Sequence, residues 1–108
     1  MAREERRAER IARNQALIRE VNERIEQMLE DAAHPEFLCE CGDENCIQTL
    51  QLSIAEYESI RSAPNRFPIT PGHEFPEVEL VVEENERYAV VEKTGEAGEV
   101  ARETDPRS

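Results

Sequence analysis

The chain has 108 residues, 38% apolar and 35% charged, with a net charge of −12 and no tryptophan. That size allows one small domain with an appendage and a thin core, the kind of fold that a metal, disulfides or a partner chain commonly staples. No apolar run is long enough to span a bilayer and no basic-then-apolar leader is present, so no membrane contact and a cytoplasmic location are expected. The acidic balance argues against nucleic acid as a partner.

Residues 2–32 read as one helix, because Glu, Arg, Ala, Gln and Leu dominate and neither Gly nor Pro occurs before Pro35. We take 1–33 as a charged amphipathic segment. Ile11, Ile18 and Ile25 recur every seven residues. Val21 and Met28 form a second series with Asn14 at its earlier position, and Leu17 and Leu29 flank the stripe. A β-branched series offset from a second apolar series suits the coiled-coil seam of a parallel homodimer. The same stripe suits a helix lying against its own domain. Arg3, Arg6, Arg7 and Arg10 crowd the start of the helix, and Glu26, Glu30 and Asp31 its end. Both placements oppose the helix dipole. The i,i+4 pairs Glu9–Arg13 and Glu20–Arg24 each recover a few tenths of a kcal/mol, or about that. Through Asp31 seven arginines balance eight acids, whereas the remainder carries seventeen acids against six basic residues. A protein partner is expected either on the helix or on this acidic face.

The globular part is expected over 34–94. Phe37-Leu38 is a short strand leading into the cysteines, and 47–52 a second. Ser53 followed by Glu56 is a capping box, so a helix begins at Ile54 with Ile54, Tyr57 and Ile60 on one face and stops before Pro64. Residues 66–70 form a strand placed at a sheet edge by Pro68. The β-branched runs 78–83 and 88–93 flank Glu84-Asn85-Glu86 as a hairpin. Residues 95–108, rich in Gly, Glu, Ala and Thr, read as a disordered tail.

All three cysteines lie within eight residues, Cys39-Glu-Cys41-Gly-Asp-Glu-Asn-Cys46. Zinc takes four tetrahedral Cys or His donors, with Zn–S near ~2.3 Å. Cys39 and Cys41 reach one ion only if the backbone bends sharply, and the turn formers Gly42, Asp43 and Asn45 return Cys46 toward them. His73, in the turn Pro71-Gly72-His73-Glu74, is the expected fourth ligand from a second part of the fold. His34, near the helix exit, is the alternative, then a carboxylate or water. One structural Zn2+ per chain is expected, held by Cys39, Cys41, Cys46 and His73. A Cys39–Cys46 disulfide is the competing reading, and an odd number of thiols disfavours it.

Glu40, Asp43 and Glu44 flank the thiols with no nearby basic residue, which is expected to suppress the thiolate and disfavour redox catalysis. No Gly-rich phosphate loop occurs, and no motif supports Ser53, His73 and Asp43 as a nucleophilic site. Glu83-Glu84 reads as surface charge. The expected protein is therefore no enzyme, but a small zinc-binding interaction or regulatory module. Its alternatives are a zinc- or redox-responsive regulator switched by metal loss, and a small metal-dependent hydrolase.

Taken in order, Phe37-Leu-Cys-Glu-Cys41, Cys46, Leu52-Ser-Ile-Ala-Glu-Tyr-Glu58, Arg61, Pro64, Arg66-Phe67, Pro71-Gly-His-Glu74 and Val90-Val-Glu-Lys93 resemble one family of short uncharacterised bacterial proteins, mostly actinobacterial. The resemblance covers about residues 37–93. It implies that Cys39, Cys41, Cys46 and His73 act as one set, and it implies no activity. The expected architecture is α+β: a long N-terminal amphipathic helix, then a small zinc-stapled domain of three to five short strands and one helix.

Overall fold

Helix α1 spans Ala2–Met28, a stretch without a helix breaker. The computed structural model describes residues 2–29 and 35–107, so the expected helix end at 30–33 and His34 lie outside the described residues. Strand β1 (Glu36–Leu38) pairs antiparallel with β2 (Thr49–Gln51), and the cysteine loop forms the connection between them. Helix α2 (Ile54–Arg61) starts at the expected capping box: Glu56 N–H donates to Ser53 Oγ at 3.0 Å, and Ser53 N–H to Glu56 Oε1 at 2.9 Å. Strands β3 (Arg66–Ile69), β4 (Glu79–Glu84) and β5 (Ala89–Lys93) form an antiparallel sheet in the order β3-β5-β4. Pro68 sits on an outer strand, as its missing N–H requires. Asn85 closes the β4–β5 turn by accepting from the N–H groups of Arg87 and Tyr88.

The α+β class is thus the observed one, with five strands in two sheets. Its core joins both sheets to α2. Phe37 stacks on Tyr57 with ring centroids 4.4 Å apart, and Leu50, Leu52, Ile60, Phe67, Ile69, Val90 and Val91 fill the rest. Each such fully buried side chain contributes ~1.5–3 kcal/mol of transfer free energy.

Two expectations change. Residues 95–108 are not a disordered tail: Gly95–Glu103 form a third helix, α3, with Ala97 and Ala101 buried and packed toward α1. Small side chains let α3 approach closely, so a segment poor in large apolar residues still has a docking face. Beyond it, Arg107 meets Glu23, Glu26 and Glu58, while Arg61 bridges Glu23 at 2.6 Å and Asp105 at 2.5 Å. These pairs tie the chain end to α1 and α2.

The second change concerns the face that α1 covers; the helix lies on its own domain, one of the two expected arrangements. The face it buries includes only the Ile series of the apolar stripe, beside a run of polar residues. Ile11, Gln15, Arg19 and Asn22 are buried, and Ile18 and Ile25 half-buried, whereas Leu17 is 63% and Met28 78% exposed. The second series of the expected seam, Val21 and Met28, thus faces outward. A predominantly polar face docks because its partners are backbone carbonyls and a buried carboxylate.

Candidate metal centre

The cysteine loop is shaped by its own turn chemistry. Asn45 N–H donates to Asp43 Oδ1 at 2.9 Å and Cys46 N–H to Asp43 O at 3.0 Å, which folds Cys46 back over the loop. Gly42 takes φ +85°, in the left-handed region that favours glycine. Across the domain, Gly72 at φ +91° closes the turn after β3, and His73 N–H donates to Thr70 O at 3.0 Å. Cys39 N–H is anchored on Gln48 O at 3.0 Å, and Thr70 N–H donates to Cys39 Sγ at 3.1 Å.

These local turns bring all four expected donors together. The ligand atoms of Cys39, Cys41, Cys46 and His73 lie within 4.8 Å of one another. His73 Nδ1 is 3.7 Å from Cys39 Sγ and 3.6 Å from Cys46 Sγ. Two donors at ordinary zinc bond lengths and a tetrahedral angle would lie ~3.5 Å apart for an S,N pair and ~3.8 Å for S,S. The cluster can therefore hold one metal ion with little rearrangement. The three cysteines are free thiols, so the competing disulfide is not formed. Cys39 and Cys41 are buried, while Cys46 and His73 are half-buried.

The acidic flank does not act on the thiols as expected. Glu40 is fully buried, and its carboxylate faces α1: Arg19 Nε donates to Oε1 at 3.2 Å and Asn22 Nδ2 to Oε2 at 2.7 Å, with Tyr57 OH at 3.4 Å from Oε2. Hydrogen bonding from Cys41 and from Thr70 pulls the Cys39 thiol down to about 5 despite burial. Cys41, hydrogen-bonded to Cys39, is pushed up. The thiols compete for protons among themselves, and a bound dication would favour deprotonation of all of them.

α1 grips this loop by its backbone. Asn14 Nδ2 donates to Gly42 O at 3.0 Å and Gln15 Nε2 to Glu40 O at 2.9 Å. Asn22 donates to Leu38 O at 2.9 Å and accepts from Leu38 N–H at 2.8 Å. Arg19 adds donation to Pro64 O at 2.7 Å and lies 3.7 Å from the Phe67 ring centroid. Asn14, Gln15, Arg19, Asn22 and Glu40 together seat α1 on the cysteine loop, a role that the sequence reading does not assign to them. The available signal was the helical spacing of Gln15, Arg19 and Asn22 on one face.

A methyl group at Gly42 would meet Ile11 Cγ2 at 2.7 Å and Ile11 O at 2.9 Å. Gly42→Ala combines that clash with an unfavourable φ, and we expect a loss of about 2 kcal/mol or more. Urea unfolding of the metal-loaded protein would measure it. A loss below ~0.5 kcal/mol would mean that α1 does not seat on the loop.

No protein-family model, curated protein or solved structure matches this chain.

Proposed function

We propose that the chain is a non-enzymatic, cytoplasmic interaction module whose fold is stapled by one structural zinc ion on Cys39, Cys41, Cys46 and His73. The convergence of three thiols and one imidazole nitrogen within 4.8 Å carries this reading. The donor set favours zinc, since soft thiolates with one imidazole at tetrahedral separations suit that ion. Four protein donors favour a structural over a catalytic metal, because a catalytic zinc keeps one coordination position for water or substrate. None of the described helices is long and apolar enough to cross a membrane. The resemblance of 37–93 to the short bacterial family belongs to the same proposal, with the four donors as its shared centre.

A second reading, a regulator switched by metal loss, is favoured by one observation. Glu40 stands between two donors and is also the residue that α1 holds through Arg19 and Asn22. Opening the loop would free the helix.

Metal analysis of protein purified without added metal should return one equivalent of zinc, and a strong chelator should abolish the far-UV circular dichroism of the folded state. A metal-free, stably folded protein would overturn the proposal. Rapid zinc release by mild peroxide with a change in helix content would select the second reading.

A further inference from the structure

The β4–β5 ribbon carries a surface used by neither the metal centre nor the α1 clamp. β4 is an outer strand, paired with β5 on one side only. Glu79 at its start is buried, but Leu80, Val81 and Val82 are 58%, 40% and 42% exposed. An unpaired edge presents backbone donors and acceptors to any extended chain, and proteins commonly blunt it with Lys or Pro, break it with a bulge, or cover it. β4 holds neither Lys nor Pro. Its register shift falls between Val81 and Glu83, leaving the first half of the strand regularly paired.

The charge around this edge is one-sided. Glu77, Glu83, Glu84 and Glu86 are exposed, and no Lys or Arg occurs between Arg66 and Arg87. Arg87 is held by Glu56 at 2.6 Å, and Glu77 has Arg7 at 3.8 Å. Glu83, Glu84 and Glu86 make no ion pair among the described residues. A second copy is a poor occupant. Antiparallel self-pairing about the strand centre would set Glu77 against Glu86, and parallel pairing would oppose Glu83, Glu84 and Glu86 each to itself. Like charges directly across a ladder are destabilising.

We propose that β4 accepts an extended segment of a partner protein as an added strand, with apolar β-formers alternating with Lys or Arg. Main-chain hydrogen bonds would supply affinity, Leu80 the apolar contact, and the glutamates the preference for basic sequence. This rests on the interaction-module reading and names its surface and partner chemistry.

The test titrates metal-loaded, isotope-labelled protein with the capped peptide Lys-Val-Lys-Val-Lys-Val-Lys, following backbone amides by NMR. Saturable shifts and slowed exchange should be confined to the β4–β5 ribbon. They should vanish when Pro replaces the central Val of the probe, and Glu83→Lys with Glu84→Lys should weaken binding roughly 10-fold. No saturable shift, equal shifts with the Pro probe, or shifts centred on Leu17 and Val21 would each overturn the proposal. Dilution-dependent β4 shifts without probe would do so in favour of a second copy. Zinc content of the same sample separates the two failures. Lost peptide binding with one equivalent of zinc removes only this surface, whereas a metal-free folded sample removes the reading beneath it.

Discussion

Replacing Cys41 with serine is expected to abolish stoichiometric zinc and leave a chain that does not fold cooperatively. Cys41 is buried in the main core cluster beside Cys39, so its sulfur is both donor and packing atom. A serine hydroxyl is a poor zinc ligand and brings an unpaired polar group into that core. Loss of an outer hydrogen-bond partner costs a zinc site 10–100-fold in affinity, so loss of a donor should exceed roughly 100-fold. In a domain with this little core, metal-binding free energy is largely folding free energy. Isothermal titration with zinc and thermal melts with and without chelator would measure both effects. A variant that melts as the parent does would show that the four donors do not staple the fold.

The second large effect is expected at Arg19. Arg19→Ala strands the Glu40 carboxylate inside the protein and leaves the Pro64 and Arg66 carbonyls without their donor. Removing one partner of a buried ion pair costs ~3–5 kcal/mol. Because Glu40 links two of the donor residues, zinc affinity should fall as well, by about 10–100-fold. The pH dependence has a definite sign. Burial already raises the Glu40 carboxyl above its ordinary value, and Arg19 is the largest opposing influence. Without Arg19 the folded-state value rises further. An acid raised in the folded state costs stability above that value, and the cost fades as pH falls and the group is protonated. The stability difference between variant and parent should therefore be full above the variant's folded-state value and shrink as pH falls through it into the ordinary carboxylate range. Arg19→Ala with Glu40→Gln should recover part of the loss, since the buried charge is gone. No recovery in the double variant, together with a pH-independent difference, would show that Arg19 acts by packing on Phe67 alone.

Signals confined to a few neighbouring residues were readable without coordinates. Ser53 and Glu56 mark the start of α2 because both halves of a capping box lie within one turn. The cysteine loop and the Pro71-Gly72 turn are likewise local, and each presents its donors by backbone conformation. The helix was read less well. Its apolar period points to the Ile and Val/Met series as the contact face and gives Gln15, Arg19 and Asn22 no role. A polar face is buried only when particular acceptors meet it, and those acceptors, the carbonyls of Leu38, Glu40 and Gly42 and the Glu40 carboxylate, have no period in the sequence. The docking of α3 escaped notice for a related reason. Ala97 and Ala101 contribute by letting backbones approach, and hydropathy registers that weakly.

The sequence by itself determined the α+β class, the elements up to residue 93 and the four residues that converge as candidate donors, because these follow from propensity, turn geometry and the chemistry of thiols and imidazole. Only the tertiary structure decided which face of α1 is covered, that the chain end forms α3 and is tied to α1 and α2, and that Glu40 joins the helix to the cysteine loop. Those outcomes depend on long-range complementarity between groups far apart in the chain. A polar side chain carries no mark of being buried until the group that satisfies it is in place.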